Sequence, residues 1–116
     1  ANPRLSREQM DCIYQGLKKG LDVKLYAKVS FSTDQMYLLR KALEEGYDVR
    51  PIAKVKFSYN QMKAFIRGLM LGIDVSKSEY FGDWWTAEKI NETIDFEVKY
   101  REHKQLLKEI ERTTHR

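Results

Sequence analysis

A set of residue types returns at a fixed interval of 26 positions, and this periodicity constrains the fold more than any other feature of the chain. Self-similarity at such a period is the signature of a repeat protein. We therefore divide the chain into three repeats, 6–31, 32–57 and 58–83. The recurring columns are Ser6, Ser32 and Ser58; Gln9, Gln35 and Gln61; Met10, Met36 and Met62; Leu17, Leu43 and Leu69; Gly20, Gly46 and Gly72; Asp22, Asp48 and Asp74; and Val23, Val49 and Val75.

Each repeat is predicted to contain a long helix and a short one. Serine followed three residues later by glutamine is the capping box that opens a helix, and the residue before each serine (Leu5, Phe31 or Phe57) is spaced to pack on the methionine. Apolar side chains then recur at helical spacing until a glycine, which ends a helix of about 14 residues. The aspartate that follows is a good N-cap for a second helix of about one turn.

The segment 84–116 is predicted to cap the array and to continue as one long helix. It begins like a degraded fourth repeat with a two-residue insertion, because Thr86 takes the place of the capping serine. Polar columns become apolar in the third repeat, so we expect Trp84 or Trp85 to cover that surface. Since about 100–150 residues is the usual size of a domain, the whole chain 1–116 is predicted to be a single all-α domain. The newly apolar residues are Ile66, Met70 and Leu71.

The apolar stripe of this last helix changes face along its length. Ile90, Ile94 and Val98 follow one side, which we expect to lie on the repeats. The second stripe has the spacing of a coiled-coil seam and is centred roughly 120° or more away from the first. We predict that it meets the same helix of a second copy in a homodimer, with a foreign protein as one alternative and the chain's own repeats as the other. Its members are Phe96, Tyr100, His103, Leu107 and Ile110.

Basic residues in the loops after the first two glycines form the second candidate site. The chain carries 21 lysines and arginines against 17 acidic residues, a net charge of +4. Five of these cations fall in two loop stretches that hold no acidic residue, and stacking of the repeats would align them. Such a stripe could contact the phosphates of a nucleic acid; alternatively, the cations only complement helix ends and keep the surface soluble. They are Lys24, Lys28, Arg50, Lys54 and Lys56.

No set of residues suggests an enzyme. Cys12 has no histidine close to it in sequence, and His103 and His115 lack a second ligand at metal-binding spacing. The three aspartates are explained by capping, so we expect no cofactor and no metal. A single cysteine excludes an intrachain disulfide and favours a reducing, cytoplasmic location. No apolar run approaches the roughly 18 residues that a membrane span needs.

The phrase Gln-Met-x-x-Ile-x-x-Gly-Leu-x-x-Gly-Leu-Asp-Val-x-x-Tyr-Ala, at positions 9–27, resembles a tandem repeat of proteins from Gram-positive mobile elements, including conjugative transposons and prophages. Ile52 and Ser78 depart from the tyrosine of this ending. The resemblance implies an origin and assigns no residue roles. Because stacked helical repeats present an extended binding surface, we predict a non-enzymatic module that binds a protein, as an accessory or regulatory factor of a phage or conjugative element. Nucleic-acid binding is the alternative.

Overall fold

The computed structural model describes residues 4–114 and contains only helices and turns over that range. The predicted fold class, all-α, is confirmed. His115 lies outside the described residues. The elements are α1 (Arg7–Lys18), a 3-10 turn (Val23–Leu25), α2 (Thr33–Glu44), α3 (Tyr59–Met70), a second 3-10 turn (Val75–Lys77) and α4 (Ala87–Thr114).

The serines open α1, α2 and α3 as predicted. In each helix the serine hydroxyl accepts a hydrogen bond from the backbone N–H of the glutamine, and the glutamine Oε1 accepts one from the backbone N–H of the serine. For Ser32 and Gln35 these two distances are 3.1 and 2.8 Å. Each helix is 12 residues long, and the three helices start at intervals of 26 residues.

Glycine ends each of these helices because the backbone there takes a left-handed conformation. Gly20, Gly46 and Gly72 have φ values of 70°, 84° and 75°. At the end of α2, the N–H of Tyr47 reaches back to the carbonyl oxygen of Ala42 at 3.0 Å. This bond, from the residue after the glycine to the last turn of the helix, defines a Schellman motif. The glycine column is therefore a set of helix C-caps, as the sequence predicted.

The predicted second helix of about one turn is confirmed in the first and third repeats, but in the middle repeat it is missing. The first and third repeats have 3-10 turns of three residues, and the middle repeat forms only a turn. The 3-10 turns are closed by bonds of 3.2 Å from the N–H of Leu25 to the Asp22 carbonyl and from the N–H of Lys77 to the Asp74 carbonyl. Pro51 occupies the equivalent place in the middle repeat and has no N–H to donate.

Only two of the three aspartates cap these segments as predicted. Asp48 accepts a bond from the N–H of Arg50 at 3.1 Å, and Asp74 accepts one from the N–H of Ser76 at 2.9 Å. Asp22 makes no side-chain capping bond. Arg50 and Ser76 also bond their aspartate through the side chain, which holds the carboxylate in place. Lys24, which lies two residues after Asp22 as Arg50 lies two residues after Asp48, forms no such bond.

The helices pack in chain order and build one continuous core. α1 packs on α2, α2 on α3 and α3 on α4, and the molecule is elongated, with extents of 73 × 31 × 18 Å. Linkers contribute to this core as much as helices do. The largest fully buried side chains are Tyr26, Phe31, Met36, Leu39, Val49, Ile52, Phe57, Met62, Phe65, Val75, Ile90 and Ile94.

The glutamines make a second contact that the sequence analysis missed. Besides capping its own helix, Gln9 donates from Nε2 to the carbonyl oxygen of Phe31 at 2.7 Å. Gln35 does the same to the next linker at 3.1 Å. Gln61 donates to the carbonyl oxygen of Trp85 at 2.7 Å, two residues further along than in the earlier repeats, which agrees with the predicted insertion. Each glutamine thus ties the start of its helix to the residue that leads into the next helix.

The methionine column is not uniformly buried, although each member has the spacing to pack on the residue before its serine. Met36 and Met62 are fully buried, whereas Met10 is 52% exposed. Tyr14 and Leu17, which follow on the same side of α1, are exposed as well. In α2 and α3 the equivalent side packs on the preceding helix. Among the described residues no helix precedes α1, so this end of the array is open.

The C-terminal side of the array is covered by one tryptophan rather than by a pair. Trp85 is 7% exposed, and its ring meets the ring of Phe81 edge-on with the centroids 5.3 Å apart, while Trp84 is 69% exposed. The prediction that a tryptophan covers the newly apolar residues of the third repeat is wrong for Met70 and Leu71, which stay exposed because α4 packs along the opposite face of α3. Ile66 is buried, but the aromatic ring beside Trp85 is that of Phe81.

Candidate interaction surfaces

The first half of α4 is fixed to the body by apolar packing. Ile90 and Ile94 are fully buried, and Val98 packs beside the core, as predicted. Gly68 of α3 allows the two helices to approach closely. A Cβ atom at this position would lie 2.9 Å from the Ile94 side chain and 2.8 Å from the carbonyl oxygen of Ile73.

Two arginines add polar contacts between α3 and α4. Arg67 binds Asp95 at 2.6 Å and Asn91 at 3.0 Å. Arg101 donates to the carbonyl oxygen of Gly72 at 3.2 Å, where the end of α3 leaves carbonyl groups without a helical partner. These bonds join the middle of α4 to the end of α3, close to position 99, from which every described side chain of the helix is exposed.

The second half of α4 projects from the body. Every described side chain from position 99 to position 114 is exposed. The helix does not lie back along its own repeats in this structure, so the arrangement in which the chain itself covers the second stripe is not the one observed.

Exposed apolar residues follow the projecting half at the predicted spacing. We call the set Phe96, Tyr100, His103, Leu107 and Ile110 the seam. The four seam residues other than His103 are between 51 and 69% exposed, and Leu106 beside them is exposed too. An exposed apolar stripe of this kind, bordered by charged residues, is typical of a surface that meets another macromolecule.

The five cations of the predicted basic stripe are exposed, but two of them are paired with acids. Arg50 forms a two-pronged ion pair with Asp48, with both N–O distances at 2.8 Å, and these bonds lower the pKa of Asp48 to about 2. Lys56 Nζ lies 3.9 Å from Asp83. The expectation of a stripe without negative charge is therefore wrong, because acids from outside the two loop stretches fold onto them. The exposed cations are Lys24, Lys28, Arg50, Lys54 and Lys56.

One part of the basic stripe borders an exposed aromatic ring. Lys54, Lys56 and Trp84 line a surface cleft of about 510 Å³ between the second and third repeats. The Trp84 ring lies over Gly82, where a Cβ atom would collide with it at 1.9 Å. The glycine therefore lets the ring approach the backbone closely, and most of the Trp84 side chain stays exposed. Trp84 therefore does not cover the third repeat, which was one of the two possibilities that the sequence left open.

An apolar groove between α2, α3 and α4 is a further feature that was not predicted. It has a volume of about 590 Å³, and its apolar lining includes Leu38, Ile66, Met70 and Ala87. The signal for it was present in the third repeat, where arginine and glutamate columns are replaced by Ile66 and Met70. We interpreted those replacements as a surface to be covered, and α4 covers only part of it.

The single cysteine is not arranged for catalysis. Burial raises the pKa of the Cys12 thiol, although Arg40 beside it acts in the opposite sense. A thiol with a raised pKa is a poor nucleophile at neutral pH. Arg40 is itself bound to Glu44 at 2.8 Å, and the Tyr26 hydroxyl donates to the Cys12 carbonyl oxygen at 2.9 Å. Within residues 4–114, no cluster of three or more His, Cys, Asp or Glu side chains could hold a metal ion.

The search for membrane spans, made over the described part of the chain, finds no helix that is both long and apolar enough to cross a bilayer. Comparison with known proteins gives no match to a family model, to a curated protein or to a solved structure.

Proposed function

We propose that the chain is an array of three 26-residue helical repeats, 6–31, 32–57 and 58–83, with α4 as a modified fourth helix that closes it. Three observations support this: the equal spacing of the helix starts, the shared capping boxes and the shared left-handed glycines. The glutamine contact to Trp85 adds a fourth, because Trp85 then occupies the place held by Phe31 and Phe57.

We propose further that this array is a non-enzymatic module that binds another protein. The observation that carries the proposal is the seam, an apolar line on a projecting helix whose members are exposed among residues 4–114. Protein–protein contacts are concentrated on apolar and aromatic side chains of this kind. The resemblance to repeats of Gram-positive mobile elements suggests an accessory or regulatory role in such an element, and the lone buried cysteine suits the cytoplasm.

A capture experiment tests whether the seam binds protein. The immobilised chain is exposed to lysate of a Gram-positive bacterium that carries a conjugative element, beside two variants that each add one negative charge to α4. Leu107→Glu places the charge on the seam, whereas Gln105→Glu places it on the opposite side of the same exposed helix. We expect the parent and the Gln105 variant to retain the same proteins and the Leu107 variant to lose them.

The result that would contradict the proposal is equally direct. If the Leu107 variant retains every protein that the parent retains, the seam does not bind protein in the lysate. Circular dichroism of both variants should match the parent, since both positions are exposed and the helix remains solvated. The comparison therefore reports on the surface rather than on the fold.

Nucleic-acid binding is the second candidate, favoured by the cleft that places Lys54 and Lys56 beside the exposed Trp84 ring. A cation next to an accessible aromatic ring is the combination that binds single strands, through phosphate contact and base stacking. Lys24 and Lys28 would extend the surface along the first repeat.

Fluorescence polarisation with single-stranded and duplex oligonucleotides of mixed sequence separates the two candidates. Phosphate-driven binding must weaken steeply as salt is raised, and Lys54→Glu should remove it while Lys108→Glu, the same charge change on the projecting helix, should not. If the parent binds no oligonucleotide at low salt, the second candidate is excluded.

A further inference from the structure

The projecting half of α4 lacks the packing that normally stabilises a helix. Helices in proteins gain most of their stability from burying an apolar face rather than from intrinsic propensity. From position 99 to position 114 every described side chain of α4 is exposed. We propose that two copies of this chain pair through their seams in antiparallel orientation, an inference that rests on the proposed function and names the partner of the seam.

The charges beside the seam disfavour a parallel pair. One flank of the seam carries Glu97 and Lys104, and the other carries Glu92 and Lys99. In a parallel two-stranded coil, opposite flanks of the two helices face each other. Lys99 would then meet Lys104 of the second copy, and Glu92 would meet Glu97. Each of these contacts brings like charges together, and the symmetry of the pair repeats it on the other side.

An antiparallel pair turns one of these flanks, the one with Glu97 and Lys104, into attractive contacts. Each flank then faces the same flank of the other copy, so Glu97 meets Lys104 of the second copy and, by symmetry, Lys104 meets Glu97. This register also places Phe96 on Leu107 and brings the two aromatic rings of Tyr100 and His103 together. The seam is thus complementary to itself in charge and in apolar content, and this self-complementarity favours a second copy over a foreign helix.

The position of the seam leaves room for this arrangement. Ile90 and Ile94 face the body, and the seam lies on roughly the opposite side of the helix at 100° per residue. The projecting half of the second copy can therefore run along the outer side of the first half of α4. The two bodies lie at opposite ends of the paired helices, on opposite sides, and do not meet.

Sedimentation velocity of the full chain tests the proposal over a range from low to high micromolar concentration. We expect a species of twice the 13.8 kDa chain mass to appear as concentration rises. Leu107→Glu should abolish it, because the new charge would be buried in the seam. Gln105→Glu, on the far side of the helix, should leave it unchanged.

Two charge reversals decide the orientation, because the parallel and antiparallel pairs predict opposite changes in dimer affinity. In an antiparallel pair, Glu97→Lys and Lys104→Glu each replace two attractive contacts by two repulsive ones and should weaken dimerisation by about tenfold. The double variant exchanges the charges and should restore the parent affinity. In a parallel pair, each single change would bring opposite charges together and strengthen the dimer.

The outcomes distinguish this inference from the proposed function. A dimer weakened by each single reversal and restored by the double variant supports the antiparallel pair. A dimer strengthened by the single reversals overturns it, and so does a monomer at every concentration. A monomer that still captures protein through the Leu107 surface leaves the proposed function standing and rejects only the second copy as its partner.

Discussion

At the scale of single residues, the glutamine column shows one side chain serving two contacts. Gln35 Oε1 completes the capping box of α2, and its Nε2 holds the linker through the carbonyl oxygen of Phe57. Glutamate is an equally good capping-box residue, and a negative charge is favourable at a helix N-terminus. Gln35→Glu therefore removes only the donor and turns a carboxylate toward a carbonyl. We expect a loss of about 1–2 kcal/mol in the free energy of unfolding, measured by urea denaturation.

The outcome for Gln35→Glu is informative in either direction. If stability is unchanged or rises, the linker contact contributes nothing and the capping box alone explains the column. Gln105→Glu is the matched control, because Gln105 is exposed on the projecting helix and should tolerate the same change without loss.

A second residue-scale prediction concerns the buried phenol of Tyr26, whose pKa is raised from 10.0 to about 12 by burial. The unfolded chain ionises this group near pH 10 and the folded chain only near pH 12, so the stability that its neutral form contributes is complete below pH 10 and is lost as pH rises through this window. Tyr26→Phe should cost about 1 kcal/mol at neutral pH, because the bond to the Cys12 carbonyl is lost.

The pH dependence of Tyr26→Phe supplies its test. The difference in unfolding free energy between the parent and the variant, measured by urea denaturation at several pH values, should shrink between pH 10 and pH 12. Other titrating groups are the same in both proteins and cancel in the difference. A constant difference across this window would mean that Tyr26 ionises equally in both states.

At the scale of helices, a glycine C-cap determines where each of α1, α2 and α3 ends. Gly46 has a φ of 84°, and a Cβ atom added there would meet nothing within 4 Å. The cost of a side chain is therefore one of backbone conformation alone. Gly46→Ala should lower the free energy of unfolding by about 1–2 kcal/mol, and Gly46→Asn by less, because asparagine tolerates the left-handed region. Thermal denaturation followed by circular dichroism measures both, and equal costs would contradict this account.

The helices also show what local sequence can predict and where it stops. Capping boxes and glycine ends are local, since every atom of the contact lies within a few residues, and these predictions are confirmed. The short second helix fails only in the middle repeat, because one backbone N–H closes it and Pro51 lacks that donor. The second glutamine contact spans 22 residues between Gln35 and Phe57. No local pattern distinguishes that contact from capping alone.

At the scale of the whole molecule, the predictions that failed concern the two ends of the array. Equivalent residues of different repeats are buried alike only where a neighbouring helix covers them. Met10 is exposed because no helix precedes α1 among the described residues. The choice between Trp84 and Trp85 was within reach of the sequence, because Trp85 directly precedes Thr86 as Phe31 precedes Ser32. The exposed seam was predicted from its change of face along α4, since that argument needs only helix geometry. The ion pair between Arg50 and Asp48 was within reach of the sequence, but the loop stretch considered began one residue too late.

Closure of the array by Trp85 gives a prediction for the molecule as a whole. Trp85 is buried against Phe81, and its carbonyl oxygen accepts the bond from Gln61, whereas Trp84 is largely exposed. Trp85→Ala should lower the free energy of unfolding by about 3–5 kcal/mol, the usual cost of emptying a buried aromatic site, and Trp84→Ala by about 0.5 kcal/mol or less. Urea denaturation followed by circular dichroism measures both. In a stacked array each unit depends on its neighbours, so the Trp85 variant should unfold either at a lower midpoint throughout or in two steps, with the third repeat first. If both variants cost the same, Trp85 does not close the core.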